Sequence, residues 1–222
     1  SACCLTSRVF RFFRIGGIAY LIAYIPTTKP ILTMHFAPSE TPETVYCRNE
    51  RFRLMIPNDV IQRRITEIGR DIDEMYKDKN PIFIGLLNGS FIFMADLIRN
   101  VTIDCEMDFI KLSSYGAEKI SSGQVTEKKG LDAKIAGRHV VVVEDIVDTG
   151  LSMRYILDQM THHNPASVKV VTLLHKPEAM REEVPLDWVG FAIENKFVLG
   201  YGLDYGQLGR NLAAIYVLDE GN

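Results

Sequence analysis

The sequence predicts a doubly wound α/β protein, a mainly parallel sheet with helices on both faces. Two apolar runs and the segment between them carry that prediction. Val140, Val141, Val142 and Val143 are apolar on both sides of an extended chain, which suits a strand covered on both faces. Residues 168–174 repeat that pattern. Residues 153–160, between them, have helical composition, and strand and helix signals alternate along the chain.

The elements can be justified in order. From Asn58 the apolar period becomes helical. Ile61, Ile65, Ile68, Ile72 and Met75 share one face, and Asn58 or Asp59 is placed to cap the start. Pro81-Ile82-Phe83-Ile84-Gly85-Leu86-Leu87 reads as the first strand, Asn88-Gly89-Ser90 as a tight turn, and residues 91–99 as a helix. Ile103, Cys105, Met107 and Phe109 alternate with Asp104, Glu106 and Asp108, a half-exposed strand of period two. Residues 113–134 are polar and lack a period; so long a loop in a compact domain is functional or disordered. Residues 188–193 and 213–218 are further short strands.

The first 39 residues differ from the rest. They contain no Asp or Glu but carry Arg8, Arg11, Arg14 and Lys29. The apolar run at 15–25, broken by Gly16 and Gly17, is too short to span a bilayer. It resembles a signal h-region or an Arg-rich transit segment. The alternative is a non-native extension with Met34 as the true start, favoured because nothing after Met34 looks secreted. Pro38-Ser39-Glu40-Thr41-Pro42 reads as a linker. The expected division is an extension over 1–45 and one functional domain over 46–222.

Composition narrows the function. A hydrophobic share of 47% supports a full core. A net charge of −3 and a pI near 6.0 offer no field for nucleic acid or an anionic membrane, so neither is an expected partner. Cys3, Cys4, Cys47 and Cys105 form no C-x-x-C, and the five histidines form no H-E-x-x-H. Thiols in a reducing, cytoplasmic compartment and no transition-metal site are expected.

The chemistry gathers where the valine strand ends. Glu144 and Asp145 are followed by Asp148-Thr149-Gly150-Leu151-Ser152, which opens a helix. Open α/β sheets bind ligands beyond the carboxyl ends of their strands. A turn at a helix N-terminus points free N–H groups outward, which suits a phosphate. The acids alone suit ribose hydroxyls, Mg²⁺ or simple solvated caps. Beside a phosphate cradle they suit a ligand with both a sugar diol and a phosphate, and hard oxygen ligands favour Mg²⁺.

Glu144-Asp145-Ile146-Val147-Asp148-Thr149-Gly150-Leu151-Ser152 resembles the phosphoribosyl-pyrophosphate (PRPP) signature of the type I phosphoribosyltransferases. The wider chain, from about Leu54 onward, is similar to the hypoxanthine-guanine branch of that family. Gly85-Leu86-Leu87-Asn88-Gly89-Ser90, Ser113-Ser114-Tyr115, Leu173-Leu174-His175-Lys176 and the stretch from Lys196 to Tyr205 carry that similarity. The fold implied is the type I phosphoribosyltransferase fold, with a small hood and a mobile loop, and residues 46–222 would be that domain.

The resemblance assigns roles. Glu144 and Asp145 would hold the ribose hydroxyls and support Mg²⁺, and Asp148 would be the catalytic acid/base at purine N7. Thr149, Gly150, Leu151 and Ser152 would form the 5′-phosphate turn, with Leu151 standing where Lys is common. Leu87-Asn88 matches a non-proline cis peptide whose amides, with Gly89, face the pyrophosphate; Asn88 also stands at a common Lys position. Ser114 and Tyr115 fall in the mobile loop, and Arg210 matches a pyrophosphate-contacting arginine. Lys176 would donate to purine O6, Phe197 would stack on the base and the Val198 carbonyl would accept from it. Asp204 would sit at the pyrophosphate side, near Mg²⁺ and the purine site.

The implied reaction converts PRPP and hypoxanthine or guanine to IMP or GMP and pyrophosphate, with Mg²⁺, in a homodimer or homotetramer. Adenine presents an amino group where Lys176 would donate, and a buried donor facing a donor discriminates strongly. A carboxylate in water is a poor base, which gives a reason for a loop that closes over the site. The alternatives are a xanthine-preferring transferase, a PRPP-sensing regulatory protein without turnover, and a nucleotide-binding scaffold. The regulator would need a basic face that the charge balance does not offer.

Overall fold

The computed structural model describes residues 9–15, 18–24, 41–113, 126–129 and 131–221. Two compact units divide the chain, 1–39 and 40–222. In the first, β1 (Val9–Ile15) and β2 (Ile18–Tyr24) form an antiparallel pair with Val9 opposite Tyr24. The apolar run at 15–25 thus contributes to a hairpin strand; aromatic and β-branched residues favour this extended form.

In the second unit, six strands form the large sheet. They are β5 (Ile82–Leu87), β6 (Glu106–Ser113), β7 (Thr126–Lys129), β8 (His139–Val147), β9 (Ser167–His175) and β10 (Trp188–Ala192), in the order β10-β9-β8-β5-β6-β7. All neighbours run parallel except β7, which is antiparallel to β6. β8 lies inside the sheet, and its valines divide between two cores. Val141 and Val143 pack with Ile61, Ile65, Ile68 and Ile72 of α1 (Asn58–Tyr76) and with Phe93 and Leu97 of α2 (Phe91–Asn100). Val140 and Val142 pack with Met153, Ile156 and Met160 of α3 (Leu151–Thr161). The period of two sends alternate valines to opposite faces, and helices cover both. Each such valine contributes roughly 1.5–3 kcal/mol by burial.

A smaller antiparallel sheet has the order β11-β12-β4-β3. It comprises β3 (Thr44–Cys47), β4 (Glu50–Ile56), β11 (Val198–Leu199) and β12 (Ile215–Leu218), around Phe52, Leu199 and Tyr216. This sheet is the hood that the resemblance implies.

Several expectations need correction. Met75 is 42% exposed, and Tyr76, one residue on, takes the last buried place of α1. The α1 N-cap is Pro57, without a side-chain cap; Asn58 Oδ1 instead accepts from Gln62 Nε2 at 3.3 Å, and Asp59 pairs with Arg63. Proline's fixed φ suits that entry without a capping oxygen. β6 starts at Glu106, and Met107 on it is exposed. Asp108 of β6 accepts from the amides of Asp132 and Ala133 at 2.8 and 2.9 Å, so an acid read as solvent-facing ties down a loop. The loop at 113–134 contains a strand, β7. Cys47 and Cys105 form no disulfide, and burial pushes both thiols up. Among the described residues, no helix is long and apolar enough to cross a membrane.

Candidate active site

The turn after β8 is built by backbone geometry. Gly150 precedes α3 with φ of 80°, a left-handed conformation that glycine adopts without a steric penalty. A side chain there would also meet the Glu182 carbonyl at 2.3 Å. The amides of Arg181 and Glu182 donate to the Thr149 carbonyl at 3.0 and 3.1 Å, so the segment after β9 braces the turn. A cleft of about 100 Å³ is lined by Glu144, Asp148, Thr149, Gly150 and Ser152, with Ile146, Val147 and Met153. Leu151, the first residue of α3, brings no charge to it.

Glu144 and Asp145 follow the four buried valines within β8. Asp145 is buried, and Glu144 Oε2 is buried without a hydrogen-bond partner among the described residues. Burial, and then the charge of Asp145, raise the Glu144 pKa well above the usual carboxylate range. Burial also raises Asp145, opposed by hydrogen bonding from Glu144 and the Ile146 amide and by the Arg210 charge. A bare carboxylate oxygen beside a second carboxyl is an unfavourable arrangement that a cation or hydroxyl donors would relieve. Its donor set therefore fits Mg²⁺ and ribose hydroxyls. Among the described residues, no group of three or more His, Cys, Asp or Glu gathers to hold a metal by itself.

Asp148 is placed differently. Its Oδ2 accepts from Lys176 Nζ at 2.9 Å, with the Lys176 side chain 9% exposed and that of Asp148 46%. The β8–β9 register sets this up. Val147 lies beside His175, and the Lys176 amide donates to the Val147 carbonyl at 3.0 Å. Lys176 emerges at the sheet's carboxyl edge, directly beside the acid at the end of the neighbouring strand.

The turn after β5 closes the other side. Leu87-Asn88 is a cis peptide, as the resemblance implies. A Cβ on Gly89 would lie 1.6 Å from Asp145 Oδ2, so only glycine lets this turn rest on the acid pair. A Cβ on Gly202 would meet the Gly89 carbonyl at 2.1 Å, which packs the 200–210 loop against the same turn. Arg210 pairs with Asp204 Oδ1 at 2.6 Å and donates to the Gly202 carbonyl at 2.7 Å. Asp204 Oδ2 accepts from the Gln207 amide at 2.7 Å. Asp204 and Arg210 thus occupy each other.

Phe197 and Val198 belong to the hood. Phe197 is 42% exposed, with Tyr205 edge-on at 5.4 Å and Phe52 tilted at 6.2 Å. The Leu218 amide donates to the Phe197 carbonyl, which leaves Val198, the next residue, at a position that does not bond β12. β11 is an edge strand, so the Val198 carbonyl faces outward. Ser114 and Tyr115 lie outside the described residues.

Sequence reasoning missed other parts. The Tyr201 hydroxyl donates to Asp96 Oδ2, while Gln62 Nε2 bonds Asp96 Oδ2 at 2.7 Å and the Tyr201 oxygen at 3.1 Å. This ties the 200–210 loop to α1 and α2, and burial pushes the Tyr201 phenol up. Tyr201 sits at φ of 50° between two glycines, and Gly-Tyr-Gly was the available signal. Tyr205, Arg48 and Lys111 were missed too; Arg48 lies over the Tyr205 ring and donates to the Gly206 carbonyl.

Sheet, acid pair and phosphate turn define a phosphoribosyltransferase architecture. Residues 57–206 match the family model described as the phosphoribosyl transferase domain. The chain is 41% identical over 166 residues to hypoxanthine-guanine phosphoribosyltransferase of Bacillus subtilis, covering 75% of this chain and 92% of that one. It is 43% identical over 170 residues to bifunctional protein TilS/HprT of Listeria monocytogenes, covering 77% of this chain but only 26% of that much longer one. A crystal structure of a hypoxanthine-guanine phosphoribosyltransferase from Bacillus anthracis superposes with a TM-score of 0.72 at 37% identity, over 75% of this chain and 98% of that chain. The chain belongs to the hypoxanthine-guanine phosphoribosyltransferase family.

Proposed function

We propose that the protein transfers ribose 5-phosphate from PRPP to N9 of hypoxanthine or guanine, giving IMP or GMP and releasing pyrophosphate. The observation that carries this reading is the Lys176–Asp148 pair beside the phosphate turn. A 6-oxopurine presents an acceptor, O6, next to N7. It would take the Lys176 ammonium by O6 and give its N7 proton to Asp148. Asp148 would exchange an ammonium contact for a proton, and N9 would become the nucleophile.

Glu144 and Asp145 would bind the ribose hydroxyls and Mg²⁺, which the orphaned Glu144 Oε2 supports. Mg²⁺, when bound, would offset the negative charge of PRPP and of the departing pyrophosphate. The exposed face of Phe197 would stack on the base, and the outward Val198 carbonyl would accept from it. Arg210, held by Asp204, would face the pyrophosphate, and Ser114 and Tyr115 would cover the reacting centre. A homodimer or homotetramer in the cytoplasm is part of this reading, and sedimentation velocity checks the assembly.

The test is nucleotide formation followed by ultraviolet absorbance, with PRPP, Mg²⁺ and each of hypoxanthine, guanine, xanthine and adenine. Hypoxanthine and guanine should react and adenine should not. No product from either 6-oxopurine overturns the proposal. Product from xanthine above both makes the enzyme xanthine-preferring, and PRPP binding without any product makes it a sensor.

A further inference from the structure

Two basic side chains beside the acid pair and the phosphate turn are committed. Lys176 is paired with Asp148 and Arg210 with Asp204. Lys111 differs. It lies on β6 directly beside Leu87, and its Nζ donates to Asn88 Oδ1 at 3.1 Å. Among the described residues it pairs with no carboxylate. Among the described residues its hydrogen-bond partner is a neutral, exposed amide oxygen on the turn that leads into α2. The Gly89 amide of that turn makes no backbone hydrogen bond among the described residues.

We propose that Lys111 is a pyrophosphate-binding residue, held over the Asn88-Gly89-Ser90 turn by Asn88. This rests on the PRPP reading above and adds a residue to it. A multiply charged anion at this turn meets the Gly89 N–H but finds no charge on Asn88. Lys111 brings that charge from the neighbouring strand. An exposed ammonium–amide bond is easily exchanged for a stronger ammonium–phosphate bond, so Asn88 positions the lysine without neutralising it. The charge of the site would thus be relocated from the turn to the adjacent strand.

The test measures binding of inorganic pyrophosphate with Mg²⁺ by titration calorimetry, in the full chain. Lys111→Met should weaken the dissociation constant about tenfold. Lys111→Arg should stay near wild type, and Asn88→Lys added to Lys111→Met should restore most of the loss. Lys111→Met within twofold of wild type overturns the proposal. So does Lys111→Arg as weak as Lys111→Met, because charge would then not be the cause. A wild-type protein that binds pyrophosphate but makes no nucleotide overturns the transfer reaction and leaves Lys111 standing. One that makes nucleotide while Lys111→Met binds normally overturns Lys111 alone. A wild type that binds no pyrophosphate overturns both.

Discussion

Glu144 and Asp145 on one side, and Asp148 on the other, lie within five residues yet have opposite surroundings. The first two follow four fully buried valines inside β8, and one of their oxygens has no partner among the described residues. The third stands past the strand, half exposed, against a lysine. Burial without compensation makes a pair that favours protons, cations or hydroxyl donors. Half exposure beside a lysine leaves the third carboxylate accessible to a bound ligand. One β8–α3 segment therefore provides two kinds of acid, and the difference comes from depth in the sheet.

The strongest way to break this comparison is at Asp148. Asp148→Asn keeps the shape and removes the proposed base, so turnover with hypoxanthine should fall on the order of 10²–10⁴-fold in steady-state assays. A loss under threefold would place the proton chemistry elsewhere. Next is Lys176→Met, which removes the proposed donor to O6. The hypoxanthine-over-adenine ratio of kcat/KM should shrink on the order of 10²-fold. An unchanged ratio would contradict the specificity role.

Glu144→Gln sharpens the comparison through pH. Because its folded pKa is raised, the native ligand-free protein holds a proton that the unfolded chain has released. Stability should fall as pH rises from the unfolded carboxylate value, about 4.3, through the raised folded value, and level off above it. Glu144→Gln should flatten that decline in thermal melts, and superimposable profiles would count against a buried, proton-holding Glu144. The smallest effect belongs to the brace beneath the site. Tyr201→Phe leaves Asp96 with Gln62 and should cost about 1–2 kcal/mol. That corresponds to a drop in Tm of roughly 2–8 °C. An unchanged Tm would mean that the Asp96 contact contributes nothing to stability.

The inner strands of the large sheet were legible because they are buried on both faces and read as apolar runs, while β7 at its edge, inside the segment read as a loop, was not. Ile82 to Leu87, the four valines and residues 168–174 needed no partner to be recognised. The hood was legible only at residues 213–218, which read as a strand and form β12 (Ile215–Leu218); Thr44–Cys47 and Val198–Leu199 are too short to show a period. The acids and the phosphate turn were legible as a local string, and Lys176 through its place after an apolar run. The contacts that assemble the site were not. Gly89 on Asp145, Gly202 on Gly89 and Lys111 on Asn88 join residues distant in sequence through strand register. Met75 shows the limit of periodicity, since a stripe gives the face but not where a neighbouring element stops covering it.

The division of labour among the three acids is tested most directly by PRPP affinity. Equilibrium binding of PRPP with Mg²⁺ should be compared in wild type, Asp148→Asn and Glu144→Gln. Asp148→Asn should bind within about threefold of wild type despite its lost turnover, while Glu144→Gln should bind about tenfold or more weakly. Equal losses in both variants, or a loss confined to Asp148→Asn, would contradict the account.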